Sequence, residues 1–234
     1  MSVIQLGGYV PGAPPSPVII PRWKSLLDGL IAWYRANGTN RAATGSPFNL
    51  AAVGSPTTGP GITGAAATAM VTTLTDYYEG FPSVLNNSPL SMSGWISRAW
   101  GDSGDGPIIL GNADDGQPLL AADAADDPMH AIPRGRTAGS AGGQVTSTVV
   151  TGGVPWVHAA LTYDRTKLDL WCQAILVARL YDPGDLPASW NSITLGQPNM
   201  TTCSNQDIGI WSRALTDAEI AYLYGEGYGF DPTV

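Results

Sequence analysis

QDIGIWSRALTDAEIAYLYGEGYG, residues Gln206 to Gly229, carries the strongest structural signal in the chain. Ile208, Ile210 and Trp211 form a short β-favouring run, which predicts a strand. Thr216 stands three residues before Glu219, the capping-box spacing at which each side chain satisfies a free amide of a helix's first turn. Leu215 before that cap and Ile220 after it are placed as a hydrophobic staple. Gly225 is expected to end the helix in a left-handed conformation. The unit therefore reads as strand, corner, one short helix and a glycine-rich stop.

The rest of the chain suits many short strands. Of 234 residues only 13% are charged, while 29 glycines and 19 prolines supply turns. The length is enough to bury a full core. A net charge of −8 repels a phosphate backbone, so nucleic-acid binding is not expected. No apolar run reaches a membrane span, so no membrane insertion is expected. The start, MSVIQLGGYVPGAPPSPVIIPRW, lacks the basic and apolar regions of a secretion signal. The expectation is a protein that stays in the cytoplasm that makes it, or leaves by lysis or a dedicated machine. Cys172 and Cys203 suit that compartment as free thiols, with a single bridge as the alternative.

Residues 1–22 read as a separate extended arm. Pro11, Pro14, Pro15, Pro17 and Pro21 forbid helix and favour a polyproline-like path, and Val18, Ile19 and Ile20 give it something to bury. The arm is a tail, a segment that docks on neighbouring subunits, in a homo-oligomer or on a larger particle, or a strand of the main domain. Residues 23–234 read as the globular domain. It opens with a helical turn near Trp23, followed by a strand at Leu30–Tyr34. Leu90–Arg98 alternates, with Leu90, Met92, Gly94 and Ile96 on one face and Trp95 on the other. Short β runs follow at Ile108–Leu110, Leu119–Ala122 and Gln144–Val150. The clearest hairpin joins Trp156–Tyr163 to a return strand over Leu168–Val177, through a turn at Asp164–Lys167.

With these pieces in order, the chain resembles the concanavalin A-like lectin/glucanase superfamily in its laminin-G-like jelly-roll branch. The resemblance rests on Gly29–Tyr34, on Ser93-Gly94-Trp95-Ile96, and on the hairpin Trp156–Asp164 with Leu168-Asp169-Leu170-Trp171. Leu195-Gly196 and the closing unit Asp207–Ile220 complete it. It implies an all-β fold: a two-sheet antiparallel jelly-roll sandwich with one short C-terminal helix. Ligands would bind on the concave face and its rim loops. The chain departs from the pattern at Gln173-Ala174, where such domains often turn on Asp-Gly.

Glycan-cleaving members of this superfamily carry a close carboxylate trio on one strand, where alternation puts the acid and the nucleophile on one face. Of the three glutamates, Glu79 and Glu226 lack a carboxylate two residues away, and Glu219 has only Asp217, within the capping segment read as the start of a helix and not on a strand. His130 reads as a solvated loop residue and His158 as a hydrogen-bonded strand residue. No Gly-x-Ser-x-Gly elbow and no zinc spacing is present. The expectation is a non-catalytic protein with no catalytic residue and no obligatory cofactor. Two sets of side chains stand as candidate sites. Trp100, Trp190 and Asn191 are loop-borne candidates for stacking on and hydrogen-bonding a sugar, although either indole could instead cap the core edge. Asp102, Asp105, Asn112, Asp114 and Asp115 offer the oxygen ligands that Ca2+ requires, with turn formation as the competing reading.

The functional expectation is a structural or binding protein of a bacteriophage virion, either head decoration or tail-associated. It would contact capsid or tail proteins through the arm, and its lectin-like jelly roll would bind glycans or the host surface. That expectation rests on the arm, the composition and analogy with other phage particles. A free-standing carbohydrate-binding lectin is the alternative, and a glycan hydrolase or lyase the less favoured one.

Overall fold

A computed structural model describes residues 23–36, 38–39, 41, 49–73, 75–80, 89–98, 106–110, 119–124, 131–136, 144–146, 156–184, 193–196 and 203–225. Among them two antiparallel sheets pack face to face, the all-β sandwich that the alternating segments imply. The first sheet runs β13(Ile175–Tyr181), β12(Lys167–Cys172), β11(Val157–Tyr163), β6(Leu90–Arg98), β15(Cys203–Trp211), β4(Ala69–Thr72) and β3(Thr57–Gly59), and β1(Leu30–Tyr34) also pairs with β15. The second runs β10(Gln144–Thr146), β9(Ala131–Arg136), β8(Leu119–Ala124), β7(Gly106–Leu110), β14(Ile193–Leu195), β5(Tyr77–Gly80) and β2(Ala51–Val53). The candidate arm, residues 1–22, lies outside the described residues.

Alternation along each strand of the first sheet sorts its side chains into two buried sets. Leu90, Met92 and Ile96 of β6, Leu161 and Tyr163 of β11, Leu168 and Leu170 of β12, and Ile208 and Ile210 of β15 face the second sheet and form the main core. The opposite face carries a second cluster: Trp33, Ala160, Trp171 and Trp211, covered by Leu26 and Leu30 and by Leu215, Ile220 and Leu223. The covering comes from one turn, α1(Trp23–Leu26), and from α2(Asp217–Gly225). Trp95 points outward, as its parity requires, and stacks on Tyr224 at 5.7 Å between centroids.

β15 changes parity along its length. Cys203 and then Ile208 and Ile210 all face the main core, which requires one extra residue between them. The register against β6 shifts between Gln206 and Gly209, and Asp207 takes a φ of 51° there. A salt bridge from Arg35 at 3.6 Å holds the buried Asp207 carboxylate in the bulge. Gly209 is needed for a different reason. The rings of Trp33 and Trp211 meet edge to face, 6.1 Å between centroids, directly over it. A Cβ at that position would collide with the Trp211 ring.

The closing unit forms as its sequence predicts, with one correction. The Thr216 N–H donates to Glu219 Oε2 at 2.9 Å, and the Glu219 N–H reaches back to Thr216 Oγ1 at 3.4 Å. Leu215 and Ile220 are both buried, as a staple requires. Gly225, however, is the last helical residue of α2 and does not take a positive φ.

The hairpin also needs one correction. The return strand read as Leu168–Val177 is two strands, β12 and β13, folded back on each other at Gln173-Ala174. Both turn residues are left-handed, with φ of 52° and 60°, the conformation usually given to Asn-Gly or Asp-Gly. The missing glycine costs local strain, not the turn. Gln173 contributes to holding it: its N–H donates to the His158 carbonyl at 3.0 Å, and its Oε1 accepts the His158 N–H at 3.1 Å.

Candidate functional site

The outer face of the first sheet is not covered evenly. Over β15 and β1 it is closed by a clasp. Arg213, just past β15, donates from Nη2 to Glu219 Oε1 at 2.7 Å and from Nη1 to Oε2 at 2.9 Å. The same guanidinium donates to the carbonyls of Asp28 at 2.8 Å and Ser25 at 2.6 Å. Burial alone would raise the Glu219 pKa, but the Arg213 fork, Ser25 and the Thr216 amide outweigh it and hold it at about 2. Ser91 pins the corner, donating to the Arg213 carbonyl and accepting the Leu215 N–H, both at 2.9 Å.

Over β11 and β12 the cover is incomplete, and a groove of about 420 Å³ opens there. Its floor is a pair of cross-strand rows. Thr162 stands opposite Asp169, and Ala160 opposite Trp171. Asp169 in turn faces Arg179 on β13. The groove's end is the Asp164–Lys167 turn, and its wall is the corner and first turn of α2, Ala214 to Ala218.

Each polar group in this groove has a definable state. Asp169 is buried, and Arg179 grips both its oxygens at 2.6 and 2.8 Å, with Lys167 Nζ at 3.5 Å. That partner raises the Arg179 pKa still further. Asp164 is held below the usual carboxylate range. Its slight burial is outweighed by the hydroxyl and N–H of Thr166 and the N–H of Lys167, all directed at Oδ1. Asp217 is exposed at the first position of α2. The odd member is Trp171. It is 94% buried, yet its indole Nε1–H has no hydrogen-bond partner among the described residues. A buried donor left unpaired costs about 1–3 kcal/mol, so this group marks a place where a partner would be stabilising.

Among the described residues, His158 and Cys172 are chemically silent. His158 packs against Trp95 at 5.1 Å between centroids, and its Nε2 lies 2.9 Å from Ser93 Oγ. Burial lowers its pKa to about 3, so it is neutral and sealed, matching the strand role read from sequence. Burial pushes the Cys172 thiol up to about 11, which removes the thiolate. Cys172 and Cys203 are free, with no bridge between them. No cluster of three metal-ligating side chains exists among the described residues. No described helix is long and apolar enough to cross a membrane.

The sequence-derived candidates fall elsewhere. Trp100, Trp190 and Asn191, and the calcium candidates Asp102, Asp105, Asn112, Asp114 and Asp115, lie outside the described residues, as does His130. The groove residues were not singled out as a site by their sequence. A signal was present in Asp169, a carboxylate between Leu168 and Leu170 whose parity places it on the opposite face with Trp171.

No protein-family profile matches the chain, and no curated protein is detectably related to it in sequence. Solved structures do match in fold. Domain 4 of AbnA, a GH43 extracellular arabinanase from Geobacillus stearothermophilus, solved in complex with arabinotriose, superposes with a TM-score of 0.64 at 16% identity. The match covers 83% of this chain and 98% of that domain. The binding domain of Paraclostridial Mosquitocidal Protein 1 gives 0.63 at 12% identity, covering 87% of this chain and 53% of that one. The binding domain of Botulinum Neurotoxin DC, in complex with SialylT, gives 0.61 at 11% identity, with coverages of 88% and 53%. The chain thus spans about half the length of these toxin domains and nearly all of the arabinanase domain.

Proposed function

We propose that this chain is a non-catalytic glycan-binding β-sandwich whose sugar site is the groove beside Trp171. The carrying observation is the groove itself. It sets a buried, unpartnered indole N–H among carboxylates and a threonine hydroxyl, which is a surface for hydroxyl groups. The arabinotriose complex of the AbnA domain supports the reading, because that domain has the same sandwich over nearly its whole length. The toxin binding domains support it more weakly, since the match covers 53% of their length. A non-catalytic role is supported by the carboxylates. A general acid needs a raised pKa, whereas Asp76, Asp164 and Glu219 are all lowered. A glycan array tests the reading: retention of at least one saccharide class is expected, and an array without a reproducible signal would overturn it.

The finer part of the proposal is its setting, a bacteriophage particle to which residues 1–22 attach the sandwich at the head or the tail. The proline spacing of that segment and the acidic, lysine-poor composition support it. A chain lacking residues 1–22 should fold, keep its sugar binding and fail to decorate particles. Normal decoration by the truncated chain would overturn the setting and leave the glycan reading standing.

A further inference from the structure

We infer that the groove selects neutral saccharides and rejects acidic ones, such as those bearing uronic or sialic acid; this rests on the glycan-binding reading above. The inference follows from what each groove group lacks. Trp171 Nε1–H needs an acceptor. Asp217 makes no side-chain hydrogen bond or ion pair among the described residues, and Asp164 Oδ2 has only Lys167 Nζ at 3.9 Å, so both carboxylates can take donors. A neutral hydroxyl both donates and accepts, so one sugar ring answers all three. A cationic ligand satisfies the carboxylates but offers the indole nothing. An acidic sugar brings the same hydroxyls but adds a carboxylate, which meets like charge at Asp164 and Asp217.

The charge balance points the same way. Asp164, Asp169 and Asp217 are set against Lys167 and, behind the floor, Arg179, which leaves one excess negative charge. Arg179 is committed to Asp169 by two hydrogen bonds, and Lys167 Nζ stands between Asp169 at 3.5 Å and Asp164 at 3.9 Å. An anion placed beside Asp217 therefore loses affinity on the order of tenfold relative to its neutral counterpart. Trp171 is the anchoring residue of the groove it lines, because its buried N–H lacks the acceptor that a sugar oxygen would supply. Ala214 and Leu215 line the same groove.

The test is calorimetric titration of the full chain with neutral arabino-, xylo- and gluco-oligosaccharides, set against oligosaccharides ending in uronic or sialic acid. Tighter binding of a neutral member is expected. Trp171→Phe keeps a ring but removes the N–H and should weaken that binding about tenfold. Asp217→Lys, at an exposed position, should narrow or reverse the preference and serves if the first variant does not fold. Tighter binding of the acidic set overturns the selectivity and leaves the glycan reading intact. Neutral binding that neither substitution changes overturns the assignment to this groove. Failure to bind either set overturns the glycan reading as well.

Discussion

Trp211 and Trp171 stand on the same face of the same sheet and belong to the same buried cluster. Their rings are equally lost to solvent for practical purposes, yet their polar edges differ. Trp211 Nε1–H donates to the Leu26 carbonyl at 2.7 Å, tying β15 to α1 across 185 residues of chain. Trp171 Nε1–H has no partner among the described residues. Around Trp211 the neighbouring polar groups are gathered into a clasp through Arg213 and Glu219, whereas around Trp171 the helix corner stops short and leaves a groove. Apolar burial therefore does not separate structure from site on this face. What separates them is whether each buried donor has been answered within the fold.

The largest expected effect is on the closed side. Trp211→Phe removes a satisfied bond, strands the Leu26 carbonyl and opens a gap beside Trp33, so it should cost about 3 kcal/mol in urea unfolding. Trp171→Phe removes a donor that is already unpaired and should cost about 1 kcal/mol or less. Equal losses in the two variants would remove the distinction between the two sides.

Glu219→Gln should cost about 2 kcal/mol at neutral pH, because it breaks both the Arg213 fork and the charged capping box. The effect has a direction in pH. The folded-state pKa of about 2 lies below the ordinary value of 4.5, so Glu219 stabilises above pH 4.5, and that contribution is lost as pH falls from 4.5 toward 2. His158 acts at higher pH. Its folded value of about 3 lies below the ordinary 6.5, so its contribution is complete above 6.5 and is lost as pH falls from there toward 3. The thermal midpoint of the native chain should thus decline in two stages. His158→Gln should flatten the upper stage, and Glu219→Gln the lower. A midpoint independent of pH between 7 and 3 would contradict both assignments.

The smallest effect is a gain. Ala174 holds a φ of 60°, and Ala174→Gly should relieve that strain and stabilise by about 0.5–1 kcal/mol, read as a rise in urea midpoint. The change lies at the hairpin tip, so sugar binding in the groove should not move.

The closed side was largely legible in the sequence, and the open side was not. Thr216, Glu219, Leu215 and Ile220 announce themselves by spacing within one short segment, because capping and stapling are local. Alternation places Leu90, Met92 and Ile96 inward and Trp95 outward for the same reason. The turn at Gln173-Ala174 lacked the glycine that normally signals it, so two strands read as one. Gly225 had the residue type of a helix stop but not its conformation. The groove is the least legible element because it is non-local: residues of the β11–β12 hairpin meet the corner after β15 only through the strand order β12-β11-β6-β15. Asp169 alone hinted at it, as a carboxylate in an apolar strand.

The most direct measurement is the indole region of an assigned 15N–1H spectrum during titration with a neutral oligosaccharide. The Trp171 Nε1–H resonance should shift as it gains an acceptor, while that of Trp211, already bonded to Leu26, stays in place. A Trp171 resonance that does not move at saturating sugar would contradict the assignment of this groove as the binding site.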